Sequence, residues 1–160
     1  MLLNVSSSIF FVPAVYATIS TPRDTWLALG LFASAVTSQI YHATLHPIAK
    51  MVDMTVVHVV VLYHVYLAST LDSLDWRVAY MHASIVYGVV VFWVCGMCRH
   101  SDWWHASIHV LMTAGSVCLI SALRDRKARD RKAMLLLLPV PSAVVPDDRG
   151  AVLGRQGERG

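Results

Sequence analysis

The chain has 160 residues, of which 56% are hydrophobic and only 14% are charged. Soluble domains carry about 25% charged residues, so this composition excludes an ordinary water-soluble globule. The net charge of +3 is small and its basic excess lies mostly in one segment, which excludes a nucleic-acid-binding protein. Three cysteines in a chain of this length also exclude a disulfide-stapled secreted module.

Five apolar stretches follow one another along the chain. Residues 2–19 form the first and weakest, because serines, Asn4 and Pro13 interrupt it. It lacks the basic residues of a signal peptide, so we predict a short first span. Each of the other stretches approaches the ~20 residues that cross a bilayer as a helix. They cover residues 25–45, 54–71, 78–98 and 103–123.

Short connections separate these stretches, so consecutive helices should be antiparallel neighbours. The sequence therefore predicts an all-α, polytopic bundle of about five spans in one domain, residues 1–123. Cys95 and Cys98 form a Cys-x-x-Cys pair at the end of the fourth span, and Cys118 lies within the fifth. Without further ligands nearby, we expect all three to be packing residues.

Residues 124–132 carry six positive and two negative charges. The positive-inside rule places this segment in the cytoplasm. Five spans then put the N-terminus on the lumenal or extracellular side. From residue 133 onward, proline and glycine predict a disordered cytoplasmic end to this basic tail, residues 124–160. We expect a multi-pass protein of the endoplasmic reticulum, Golgi or plasma membrane.

Histidine is unexpectedly frequent in the apolar stretches. Ionisable groups at membrane depth are costly and usually face the interior of the bundle, where they serve a site. We expect the mid-span residues His58, His64 and His82 to be packed and hydrogen-bonded, and the loop residues His46 and His100 to be solvated.

The other three histidines have metal-ligand spacing. Ser38 and His42 are four residues apart and share one helix face, as do His105 and His109, which can bind one metal from a single helix. Alternation of antiparallel helices brings these pairs and Asp53 to the same membrane face. Three imidazoles there match a catalytic zinc site with an open fourth position. On spacing alone, Asp53 is equally suited to be a helix N-cap.

Two parts of the chain resemble the alkaline ceramidases. Their second and third helices are similar to Ser-Gln-Ile-Tyr-His-Ala-Thr-Leu at residues 38–45 and Met-Val-Asp-Met at residues 51–54. Their last helix is similar to Trp-Trp-His-Ala-Ser-Ile-His-Val-Leu-Met-Thr-Ala-Gly-Ser at residues 103–116. These enzymes belong to the CREST superfamily of membrane zinc hydrolases, which also includes progestin and adipoQ receptors and myomaker-like proteins.

The resemblance implies that His42, His105 and His109 bind Zn²⁺, and that the catalytic residues Ser38 and Asp53 lie beside the attacking water. It implies hydrolysis of an amide, or an ester, in a membrane lipid such as ceramide. The family has seven helices, whereas this chain has room for five. A shortened CREST-like chain of this kind is either a divergent active enzyme, a truncated product or an inactive relative.

Two other functions fit the same pattern. A receptor-like or structural membrane protein of the same superfamily would keep the zinc without turnover. A b-type haem electron carrier would instead use histidines on adjacent spans, such as His58, His64 and His82, as axial ligands. The serine and aspartate spacing has no role in a haem protein, which disfavours the second of these functions.

Overall fold

Helices form all the regular structure that the computed structural model describes, which covers residues 2–22, 24–94 and 101–137. The predicted all-α class is thereby confirmed. The helices are α1 (Leu2–Ser8), α2 (Phe11–Ser20), α3 (Thr25–Thr44), α4 (Pro47–Ser69), α5 (Trp76–Val89) and α6 (Asp102–Leu137), and α5 continues into a π-helical turn, Val90–Val94. Cys95, Cys98 and His100 lie outside the described residues.

Four helical stretches are long and apolar enough to cross a membrane, and they indicate an integral membrane protein. They are the broken rod of α1 and α2 (Leu2–Ser20), α4, α5 with its π-helical turn, and α6. The remaining predicted span, α3, has 20 residues, enough to cover a ~30 Å hydrocarbon core at ~1.5 Å per residue. Its composition does not identify it as a span because it carries several polar side chains. Among them Ser34, Ser38 and His42 are buried inside the bundle.

The bundle is organised around α6, which packs against α1, α2 and α5, while α3 packs against α1, α2 and α4. Small residues allow these close approaches: Ala14 and Ala17 of α2 are buried against Leu119 and Ile120 of α6 and their neighbours in one apolar core. Gly115 serves the same purpose between α6 and α5, where a Cβ would lie 3.2 Å from Ser84 Cβ. Small residues at helix contacts are typical of membrane bundles.

A sharp turn joins α3 to α4 and brings the end of one helix beside the start of the next. Leu45 adopts the left-handed conformation, with φ of 52°, and its N–H donates to the Tyr41 carbonyl. His46 then caps α4, since its Nδ1 accepts from the Ile48 N–H at 3.2 Å. Pro47 starts the helix, where a missing N–H costs nothing. The predicted solvated loop histidine is thus exposed and also has a local structural role.

The opposite end of the bundle is held by ion pairs from the C-terminal part of α6. Lys127 Nζ lies 2.6 Å from Asp24 Oδ2 in the α2–α3 connection. Arg77 at the start of α5 bridges Asp125 at 2.6 Å and Asp75 at 2.7 Å. These contacts connect α6 to two interhelical connections on the side remote from the histidines.

The last helix is longer than predicted, because α6 continues through the basic segment to Leu137. Residues 133–137 are therefore helical rather than part of a disordered tail; residues 138–160 lie outside the described part of the chain. Arginine, lysine and alanine favour helix, and Arg126 and Asp130 form an i, i+4 pair. The prediction followed hydrophobicity, which marks where the apolar span ends but not where the helix ends.

The close approach at Gly115 predicts a sensitivity to added volume. In Gly115→Ala the new methyl would press on Ser84 Cβ and the Met81 backbone, and overpacking of this kind costs ~1–3 kcal/mol. We expect a lower Tm in detergent. Gly88→Ala is the matched control, because its Cβ would lie 3.6 Å from Ile108 Cγ2, an ordinary contact. Its Tm should be unchanged or higher, and equal Tm changes in both variants would contradict the packing argument.

Asp75 stabilises the end of the bundle remote from the histidines in two ways, as a helix cap and as an ion-pair partner. It caps α5 by accepting from the Arg77 N–H at 2.9 Å, and the hydrogen bond from the Arg77 guanidinium lowers the pKa of its carboxyl. The ionic contribution is present at neutral pH and fades as the pH falls below ~4, the ordinary value for Asp. Asp75→Ala should cost ~1 kcal/mol through the cap. Asp75→Asn should keep the cap and weaken the pH dependence, as measured by thermal unfolding between pH 3 and 7; the part that remains is due to Asp125, whose pKa is also lowered by its hydrogen bond with Arg77.

Candidate metal centre

Three histidine side chains meet at one end of the bundle. His42, His105 and His109 each offer a ring nitrogen, and these atoms all lie within 4.8 Å of one another. The ring centroids of His42 are 4.9 Å from those of His105 and 5.4 Å from those of His109, and the last two are 4.8 Å apart. This arrangement can hold a metal ion, as the sequence predicted.

The helices deliver these side chains by simple geometry. His42 lies in the last turn of α3, while His105 and His109 lie one turn apart near the start of α6. Alternate helices run in opposite directions, so the end of α3 and the start of α6 fall at the same level. His42 and His109 are buried, with exposed fractions of 8% and 5%, which places the cluster inside the bundle.

The hydrogen bonding of His42 tests whether the cluster fits a cation. Both of its ring nitrogens are buried and have no hydrogen-bond partner in the described part of the protein. A buried polar group without a partner costs free energy of ~1–3 kcal/mol, so such groups are rare unless a ligand satisfies them. A metal ion would take one ring nitrogen from each of the three residues, and zinc is commonly bound by imidazole. The residues present therefore fit a metal ion.

Asp53 and Ser38 line the same cavity as His105 and His109. Asp53 lies in the second turn of α4 and is buried, with 7% of its surface exposed. Its Oδ1 accepts a hydrogen bond from the Thr37 hydroxyl of α3 at 2.9 Å. The alternative N-cap role falls to His46, because α4 begins six residues earlier. Ser38 is buried on α3, one turn before His42.

A cavity of about 160 Å³ begins at this cluster and runs between α4 and the α5–α6 pair. Its polar end contains Ser38, Asp53, His105 and His109, whereas most of its remaining lining is apolar. Phe92 of the π-helical turn contributes to the wall, with its ring centroid 5.9 Å from that of His105. The site thus joins a potential metal centre to a space that suits hydrocarbon.

The mid-span histidines are satisfied by the protein itself. His64 is buried, with Nδ1 2.8 Å from the Val60 carbonyl and Nε2 3.1 Å from the Ser116 hydroxyl. The Nδ1 atoms of His58 and His82 likewise bond to the carbonyls four residues earlier, although both rings are exposed rather than packed inside the bundle. The predicted hydrogen bonding is present for all three residues, whereas the predicted burial inside the bundle holds only for His64.

Three residues of the site were not predicted. Ser6 of α1 lies with its Oγ 2.9 Å from His109 Nδ1, and the Phe10 ring packs 5.1 Å from the same imidazole. Thr37 orients Asp53. Thr37 adjoins Ser38 and could have been suspected for that reason. Ser6 and Phe10 carry no signal in the sequence, because only the packing of α1 and α2 against α6 brings them to the cluster.

Comparison of the chain with protein-family models, with curated proteins and with solved structures finds no match. The family resemblance consequently stands on the residues that carry it, and the candidate metal centre stands on its geometry.

The cluster predicts metal content directly. Wild-type protein purified in detergent should contain about one zinc per chain, and a His105→Ala, His109→Ala double variant should contain almost none, because a single histidine does not hold zinc tightly. Elemental analysis after gel filtration measures both. His82→Ala is the control, since His82 lies on another helix away from the cavity. Equal zinc in the wild type and the double variant would disprove the centre.

Proposed function

We propose that this protein is an integral-membrane, zinc-dependent hydrolase that cleaves an amide or ester bond of a membrane lipid, as a ceramidase-like member of the CREST superfamily. The observation that carries the proposal is the cluster of three ligand histidines, two of which, His105 and His109, line one mostly apolar cavity together with a carboxylate, Asp53, and a serine, Ser38. Each feature alone has a structural explanation, whereas their combination has the composition of a hydrolytic zinc site.

The donor set favours zinc among the metals of proteins. Three neutral imidazoles suit zinc, copper, nickel or iron, and three histidines with one open position are the ligands of a catalytic zinc ion. When bound, zinc acts as a Lewis acid that polarises a carbonyl and makes water a nucleophile near neutral pH.

The other residues have roles that follow from their positions. Asp53 is the general base: it accepts the proton of the attacking water and returns it to the leaving amine or alcohol. The Thr37 hydroxyl holds Oδ1 of this carboxylate, which limits its rotation. The Ser38 hydroxyl donates to the developing oxyanion, where charge accumulates during attack on the carbonyl.

The cavity supports a lipid as the substrate. Behind the polar residues its lining is formed by side chains such as Leu31, Val57, Ile85 and Met112, which would contact an acyl chain. α4 packs closely on α3 but only sparsely on α5 and α6. Trp93, which lines the cavity, is 60% exposed on the bundle surface. A lipid could therefore enter from the bilayer between α4 and α5, with ceramide as the candidate that the resemblance implies.

The distribution of charge supports one orientation. The basic part of α6 lies at the end of the bundle remote from the histidines, so the positive-inside rule places that end in the cytoplasm. The zinc site and the N-terminus then face the lumen of the endoplasmic reticulum or Golgi, or the cell exterior.

The rival functions are less well supported. A receptor-like or structural protein would keep the metal without turnover, so a measurement of lipid hydrolysis separates it from an enzyme. A haem carrier would need free imidazole nitrogens facing one another. Both ring nitrogens of His64 are instead engaged by Val60 and Ser116.

Asp53→Asn separates catalysis from metal binding. The amide keeps the size of the side chain and cannot accept a proton from water, so hydrolysis of labelled ceramide and ester lipids in mixed micelles should fall by ~10²–10⁴-fold. Zinc content should stay at the wild-type level, because the three histidines are unchanged.

Asp72→Asn, in the exposed α4–α5 connection, is the matched control and should retain activity. A wild-type protein that binds zinc but turns over neither lipid class would favour the receptor-like function. Activity that survives in Asp53→Asn would remove the assigned role of the carboxylate.

A further inference from the structure

One hydrogen bond reaches the histidine cluster from the N-terminal helix. Ser6 Oγ lies 2.9 Å from Nδ1 of His109, between residues that are 103 positions apart in the chain. Both residues are buried, with 5% of each exposed. Such a buried contact between the first and last helices is independent of the residues that the sequence pattern singled out.

The Leu3 carbonyl beside Ser6 favours one direction for this hydrogen bond. Ser6 Oγ also donates to the Leu3 carbonyl at 3.1 Å, and a carbonyl oxygen can only accept. A hydroxyl has one proton, so once that proton is directed to Leu3, Ser6 can only accept from His109. His109 must then carry its proton on Nδ1. A neutral imidazole has one ring proton, which leaves the lone pair on Nε2.

The N-terminal helix is itself held in place beside the cluster. Gln39 of α3 donates through Nε2 to the Asn4 carbonyl at 2.7 Å and also to the Ser8 hydroxyl. α1 is therefore attached to the helix that carries His42 and reaches over to the helix that carries His109. Phe10, just after α1, packs its ring 5.1 Å from the His109 ring and restricts its rotation.

We propose that Ser6 is a positioning residue of the metal centre, which accepts the Nδ1 proton of His109 and so presents Nε2 as the metal-binding atom. The inference rests on the proposed zinc centre and goes beyond it. It assigns the tautomer of one ligand and makes the N-terminal helix part of the site. Partners of this kind orient a ligand histidine and raise its basicity, and their loss typically costs ~10–100-fold in metal affinity.

Metal affinity in paired variants tests this role. Zn²⁺ binding to the full-length protein in detergent, measured by competition with a chromophoric chelator, should weaken ~10–100-fold in Ser6→Ala. Ser7→Ala is the matched control, because Ser7 is buried on the same helix and donates only to the Asn4 carbonyl. Its zinc affinity should equal that of the wild type.

A second pair isolates the hydroxyl from the shape of the side chain. Ser6→Thr keeps a hydroxyl, and Ser6→Val has nearly the same shape as Ser6→Thr but no hydroxyl. We expect Ser6→Thr to bind zinc nearly as well as the wild type and Ser6→Val to bind as weakly as Ser6→Ala. If Ser6→Ala does not fold, the difference in zinc affinity between Ser6→Thr and Ser6→Val still tests the role of the hydroxyl.

The tautomer can also be observed without any metal. In metal-free protein labelled with ¹⁵N-histidine, His109 should give the pattern of an Nδ1-protonated ring, and Ser6→Ala should shift it toward the other tautomer. A purely structural role for Ser6 would not change this spectrum selectively.

The possible failures are distinguishable. A wild-type protein that binds no zinc would overturn the proposed function itself. A wild-type protein that binds zinc with the same affinity as Ser6→Ala and Ser6→Val would overturn only the role of Ser6. An Nε2-protonated His109 in the metal-free wild type would do the same.

Discussion

The structure depends on bringing three imidazoles together at one end of an apolar bundle, two of them, His42 and His109, buried. Each ring nitrogen needs a partner there, because an unsatisfied polar group in a low-dielectric interior is costly. His109 uses Ser6 on one side, while His42 has no partner for either nitrogen in the described residues. A cation shared by the three rings would take one nitrogen from each ring, and α3 and α6 bring those rings together at that end.

The two ends of the bundle are stabilised by different chemistry. The histidine end has buried imidazoles, serines and the Asp53 carboxylate, whereas the remote end has Lys127, Arg77 and their aspartate partners. This second network also extends α6 beyond its apolar part. The ion pairs thus lie at the end of the bundle opposite the histidine cluster.

The packing of α4 and the shape of α5 explain how a small bundle can contain a cavity. α4 is packed mainly on α3 and leaves space toward α5 and α6. The π-helical turn at Val90–Val94 widens α5 at the level of His105 and brings Phe92 to the cavity wall. Departures from α-helical geometry of this type occur often at functional sites. The space is therefore produced by local helix geometry rather than by additional helices.

The sequence alone determined the helical class and the antiparallel order of the helices. It also indicated the end of the bundle at which each potential metal ligand lies. Hydrophobic stretches of membrane length and short connections leave few other arrangements. This logic brought His42, Asp53, His105 and His109 to one face before any contact was known. It could not show that the rings point toward one another, nor that Ser6 and Phe10 join them, because helix rotation and the bend between α1 and α2 depend on side-chain packing. The ion pairs of Lys127 with Asp24 and of Arg77 with Asp125 likewise join distant parts of the chain, which only the tertiary structure brings within reach.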